Sequence, residues 1–195
     1  MLSDLAERPL KRAGRLCRAR TSAVFPASRG TWVKLQQEIK QTKPFPGIEQ
    51  EALLNLQRTA GQALHLTQQM LKPHGLTPSQ YNVLRILRGA GPDGLRCMEI
   101  GERMLSHDPD ITRLLERLLR QRLIERRRDG KDRRVIYSRI SAEGLRLLKE
   151  LDPEIEESAK LFLGHMNVQR LELLIDLLEE ARQGLASAAC AEAKA

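Results

Sequence analysis

LIERRRDGKDRRVIYSRIS, residues 123–141, sets two short apolar runs on either side of an Asp129-Gly130 pair crowded with arginine. Leu123 to Arg128 and Arg134 to Ser141 read as two strands, because Asp-Gly tolerates the positive φ that a tight hairpin demands. An isolated ribbon of this kind is marginal in water, so it must lean on a larger body and leave its tip free to project. Residues 122–139 hold eight Lys/Arg against Glu125, Asp129 and Asp132. Cations on a projecting ribbon suit the phosphates of DNA and its narrow, electronegative minor groove.

Upstream lies the body. Thr77-Pro78 supplies an N-cap and a first-turn proline for a helix whose Tyr81, Leu84 and Leu87 face inward before the GAGPDG loop. A very short helix, Cys97 to Leu105, precedes the break SHDP. A longer one from about Pro109 to Gln121 follows, with Ile111, Leu114, Leu115 and Leu118 as its buried stripe, Asp108 as N-cap and Pro109 at the first helical position. Helix, helix, arginine-rich helix and hairpin in this order make a winged helix.

Farther out, Leu53, Leu56, Ala60, Leu64, Thr67 and Leu71 follow the 3–4 spacing of one long helix, closed by Lys72, Pro73 and Gly75. A short amphipathic helix from Trp32 to about Gln41 ends at KPFPG. Downstream, Leu148, Leu151, Ile155, Ala159, Phe162 and Met166 form one stripe, in which Asp152-Pro153 kinks or restarts the helix; Leu171, Leu174, Leu178, Ala181 and Leu185 form another. These helices carry more apolar stripe than a small winged helix can cover, so a second copy is the natural lid. The fold class expected is mostly α with a small β-hairpin wing, a winged helix-turn-helix domain plus a helical dimerisation domain. Its parts are a basic, partly flexible N-terminal extension (1–45), a helical dimerisation region (46–75 and 142–190) and a DNA-binding domain (76–141).

Composition agrees. With 195 residues, 41% hydrophobic and only 3% aromatic, the chain can build a mainly aliphatic, helical core. The net charge of +8 is unevenly spread: residues 78–140 carry 15 Lys/Arg against 9 Asp/Glu, whereas 141–195 carry 6 against 11. A cationic middle points to a polyanion, and an acidic end to a different use. No apolar run reaches the roughly 18 residues that cross a bilayer, so no membrane partner is expected. The N-terminus has no continuous apolar core of a secretory signal, and the three scattered cysteines do not form a disulfide framework, so a cytoplasmic location is the expectation.

GLTPSQYNVLRIL (75–87), EIGERM (99–104), PDITRLLERLLRQRLIERR (109–127), Asp132-Arg133-Arg134 and RISAEG (139–144) resemble, in order and spacing, the MarR family of bacterial transcription regulators, over roughly residues 49–185. The resemblance implies a homodimer whose winged lobes read the two halves of an inverted repeat in double-stranded DNA, usually as a repressor released by a small-molecule effector or by cysteine oxidation. By position it offers Asp110, Thr112, Arg113 and Arg117 to the major groove, where arginine can pair bidentately with guanine; alternatively Arg117 pairs with Asp110 or Glu116. His107, in the turn, would touch a phosphate. Asp132 resembles the family acid that braces the wing by pairing with Arg134, leaving Lys131 and Arg133 for groove or phosphate. Leu64, Gln68 and Tyr81 fall where the family holds its ligand. The family commonly has Gly just before the first Leu of the wing, but this chain has Arg122.

Other chemistries find no footing in the sequence. It has no Gly-rich phosphate loop, HExxH or Ser-centred elbow, so neither an enzyme, a metal site nor a cofactor is expected. Cys97, at a helix start beside Arg96, is either a redox sensor or a buried structural thiol. A winged helix kept for binding an acidic partner protein is the alternative to a DNA reader.

Overall fold

The structure, a computed structural model, describes residues 33–106, 110–130, 132 and 134–192, with side chains as far as residue 184. His107, Asp108, Pro109, Lys131, Arg133 and most of the basic extension lie outside the described residues. The chain divides into two compact units, Met1–Phe45 and Pro46–Ala195. In the first, α1 (Leu35–Glu38) is a single turn within the expected Trp32–Gln41 helix, followed at once by Lys40 at φ 54°.

The second unit opens with α2 (Ile48–Leu71), whose first turn carries Glu49 and Glu51 at the positive end of the helix dipole. Pro73 tightens the chain into a 3-10 turn over Lys72–His74, and Gly75 at φ 68° releases it. Next comes α3 (Pro78–Ala90). The Thr77 hydroxyl accepts the Gln80 amide at 3.2 Å while Gln80 Oε1 accepts the Thr77 amide at 2.9 Å, a reciprocal capping box. The expected GAGPDG loop contains a 3-10 turn, Gly91–Asp93, and runs into a strand absent from the sequence reading, β1 (Leu95–Arg96). Two residues are too few to show a period. Gly94, at φ 74°, lies against the Ser138 carbonyl where a Cβ would collide, and so lets β1 reach the sheet.

After β1 come α4 (Cys97–Glu102), α5 (Ile111–Arg120), β2 (Ile124–Arg128), β3 (Ile136–Ile140), α6 (Ala142–Leu163) and α7 (Val168–Glu192). The strands form an antiparallel sheet in the order β1-β3-β2, with Arg127 opposite Tyr137, itself opposite Arg96. α6 runs unbroken through Pro153 rather than restarting there. Pro153 is exposed, so the bond its missing N–H denies the Lys149 carbonyl can be supplied by water. Flanking it, Arg88 grips Asp152 through both carboxylate oxygens (2.8 and 3.0 Å), and His74 Nε2 lies 3.4 Å from Glu154 Oε2.

One aliphatic cluster holds this unit together. Leu84, Leu87, Ile100, Leu115, Leu118 and Ile124 from the winged helix are buried with Leu71 of α2 and with Leu148 and Leu151 of α6. The apolar stripe of α2 is largely exposed: Leu53, Leu56 and Leu64 are 53%, 40% and 57% exposed, while Leu71 is buried and Leu54, Leu66 and Met70 are half-buried. Ile48, Val168, Leu173, Ile175 and Leu177 are exposed as well. Such apolar area on the two long helices α2 and α7 is more than scattered surface residues account for.

Candidate nucleic-acid interface

α5 is amphipathic in the sense expected. Leu114, Leu115 and Leu118 are buried, and Thr112, Arg113, Glu116, Arg117 and Arg120 stand on its exposed side. Its N-cap is Asp110 rather than the predicted Asp108, so the helix begins at Ile111. Asp110 Oδ1 accepts the Arg113 amide at 3.2 Å, and its Oδ2 sits 3.0 Å from Arg113 Nε. The carboxylate expected among the base-reading groups is thus engaged in capping the helix and in holding its first arginine. Arg117 pairs with neither Asp110 nor Glu116; among the described residues it has no ion-pair partner. Before α5, the Leu105 amide donates to Asn82 Oδ1 at 2.8 Å, which ties the start of the helix-turn-helix turn to α3.

At its other end, α5 closes in a Schellman motif. Leu123 N–H donates to the Leu118 carbonyl at 3.0 Å and Arg122 N–H to the Leu119 carbonyl at 3.0 Å, which requires Arg122 at φ 59°. The left-handed end therefore forms with arginine in place of glycine. Ser141 fastens the base of the wing: its hydroxyl donates to the Arg122 carbonyl at 2.7 Å and accepts the Gly144 amide at 3.0 Å, so one side chain joins the end of α5 to the start of α6.

The wing is braced by carboxylates, though not as expected. Asp132 Oδ1 accepts the backbone amide of Arg134 at 2.9 Å, and Asp129 Oδ2 accepts the amide of Asp132 at 3.3 Å; no Asp132–Arg134 ion pair forms among the described residues. Short acidic side chains reach the main chain two or three residues on before they reach a guanidinium. The Arg134 side chain remains exposed. On the strands, Ile124, Leu95 and Ser138 point to the core, so register puts Arg96, Tyr137 and Arg127 in one row across the outer face, beside the Glu125–Arg139 pair (2.6 Å). Glu99 accepts from Arg96 Nε at 3.1 Å and from its amide at 2.8 Å, and these bonds hold the Glu99 carboxyl below its usual range. The row escaped the sequence reading because β1 did.

Cys97, at the start of α4, is exposed and not a buried structural thiol; its sulfur is 3.9 Å from the Thr112 hydroxyl. Of the predicted ligand residues, only Gln68 lines the cavity of about 390 Å³ at the end of α2, together with His65, Gln69, Lys72, Gly75, Leu76 and Thr77. Leu64 is exposed on α2, and Tyr81 is buried in the core, where desolvation pushes its phenol above the ordinary range against the pull of Arg85. The structure does not bring these three together. Among the described residues no cluster of three His, Cys, Asp or Glu could hold a metal ion, and no helix is long and apolar enough to cross a membrane.

Comparison with known proteins decides what kind of chain carries this surface. The profile of the MarR family matches residues 74–135, from the turn after α2 into the wing. A MarR transcription factor from Planctomyces limnophilus is 35% identical, superimposes with a TM-score of 0.55, and is matched over 98% of its length by 70% of this chain. The chain belongs to the MarR family. As a MarR-type regulator it is a DNA-binding protein of transcription, not an enzyme. Among curated MarR relatives, the HTH-type regulator YkoM of Bacillus subtilis is 29% identical over 142 residues, which cover 70% of this chain and 90% of YkoM. The MepR–DNA complex from S. aureus, at 20% identity and a TM-score of 0.62, shares the MarR fold over 67% of this chain and 96% of its own.

Proposed function

We propose that the chain is a repressor that binds an inverted-repeat operator as a homodimer in the cytoplasm and lets go when a small molecule binds. In this reading residues 76–141 read DNA, residues 46–75 with 142–190 form the dimer body, and residues 1–45 are a basic extension. The observation that carries it is the exposed apolar side chains of α2 and of α7, Leu53, Leu56, Leu64, Leu173, Ile175 and Leu177, in the same unit as a helix and wing that present arginine. A second copy covers the first and doubles the second. Arg113, Arg117 and Thr112 then read the major groove, Lys131, Arg133 and Arg134 serve the wing, and His107 meets a phosphate. Gln68 contributes to effector binding at the cavity, which Leu64 and Tyr81 do not line.

Selection from random DNA pools tests this. The expected result is an enriched palindrome with half-sites about 10–10.5 base pairs apart, and binding that falls roughly 10³–10⁵-fold from 50 to 200 mM salt if 6–10 phosphates are neutralised. A monomer by sedimentation at micromolar concentration, or a pool with no enriched palindrome, defeats the proposal and favours a protein-binding winged helix. The exposure of Cys97 beside Thr112 supports a second release signal, thiol oxidation. Peroxide should then free operator DNA from the wild type and not from Cys97→Ser.

A further inference from the structure

The recognition helix α5 ends on an amide side chain that reaches the start of α3 and the turn before it. Gln121, its C-cap, accepts from Gln80 Nε2 through Oε1 at 3.2 Å, and donates through Nε2 to the Gly75 carbonyl at 3.4 Å. Gln80 is only 5% exposed, and its own Oε1 holds the Thr77 amide. Both bonds of Gln121 therefore land on the segment 75–80. Gly75, Leu76 and Thr77 from that same segment line the cavity at the end of α2.

Rigidity on both sides makes the link mechanical. The Schellman bonds fix the Gln121 backbone relative to α5, and the capping box fixes Gln80 relative to Thr77. The Gln121 amide, though exposed, joins two partners in one segment, so a shift at either bears on the helix that carries it. A shift of the 75–77 turn must then stretch a bond or tilt the end of α5.

We propose that Gln121 is a positioning residue that couples the 75–77 rim of the cavity to the setting of the recognition helix, so that whatever displaces the rim weakens operator binding. The inference rests on the operator-binding reading above and adds its regulation. Coupling is reciprocal, so operator DNA must in turn steady the rim. A residue that merely supported the fold would not transmit that effect.

The test uses the full chain and its selected operator duplex, comparing wild type, Gln121→Ala and Gln121→Met, the last keeping the volume while removing both bonds. Hydrogen exchange at amides 75–80 is followed with and without the duplex, alongside affinity, its salt dependence and the melting temperature. The expected result is slower exchange at 75–80 on adding operator in the wild type only, with affinity roughly tenfold weaker in both variants, within the usual range for coupled sites. Their salt slope stays unchanged, because no phosphate contact is lost, and the melting temperature falls equally in both by no more than roughly 2–4 °C, because the nearly buried Gln80 amide loses one partner. Variants that keep the slowed exchange and bind within about twofold of wild type overturn the coupling. So does a wild type that binds operator without slowing exchange there, or an affinity loss that merely tracks a lowered melting temperature. A wild type that selects no operator overturns the reading beneath it as well.

Discussion

Arg113 rests on Asp110: its Nε is 3.0 Å from one carboxylate oxygen while its backbone amide donates to the other. The arginine that the proposed reading assigns to a base is thus held at its own helix cap in the free protein, and in that reading would share or leave the carboxylate on DNA. Asp110→Asn keeps a good cap while removing the charge. An exposed pair is worth at most about 1 kcal/mol, so DNA affinity should rise by no more than about fivefold, with base preference relaxed at the position Arg113 meets. Binding to a library of single-base operator variants checks it, and lower affinity across the library would refute it.

Arg122 holds a left-handed backbone that costs a side-chain-bearing residue about 1–2 kcal/mol. Arg122→Gly should therefore stabilise the chain by about 1 kcal/mol, which raises the melting temperature by roughly 2–4 °C. Calorimetry decides, and a lowered melting temperature would show that the guanidinium contributes more than the backbone loses.

Burial raises the pKa of Tyr81, so the folded chain keeps the phenol proton at a pH where the unfolded chain has lost it. The stability tied to that proton is intact below about pH 10, the ordinary tyrosine value, and is lost as the pH climbs above it. Above that pH, the unfolding free energy of Tyr81→Phe should fall less steeply than that of the wild type, by at most about 1.4 kcal/mol per pH unit. Denaturant titrations at a series of alkaline pH values measure the two slopes; identical slopes refute it.

Arg127 lies on the outer face of the wing, in the row with Tyr137 and Arg96, and supports no core contact. Arg127→Ala should weaken binding evenly across DNA sequences and reduce the salt slope by about 1. Loss of discrimination between operator and random DNA would instead mark it as a base reader.

What the sequence made legible follows from how local each cause is. The two strands of the wing were legible, but not the tight Asp129-Gly130 turn: Gly130 has no positive φ, and residues 129–135 separate the end of β2 at Arg128 from the start of β3 at Ile136; α3 was legible because Thr77, Pro78 and Gln80 cap it on the spot. The start of α5 was misplaced by two residues because Pro109 and two nearby acids offer competing caps, and only the fold chooses Asp110. The long helix α2 was legible from its 3–4 spacing, whereas which of its leucines the rest of the unit covers is decided only by the fold. The exposure of Thr112, Arg113 and Arg117 on α5 follows from helical spacing. The bridge from Gln80 to Gln121 spans 41 positions of sequence, and nothing local announces it.

The single cluster that buries Leu71, Leu148 and Leu151 beside Leu84 and Leu115 bears on how this protein can be re-engineered. Its reading head is no detachable cassette. A chimera that borrows residues 76–141 from a relative with another operator also inherits a seam at those three leucines, and will fold only where the donor's side chains fill the same volume there.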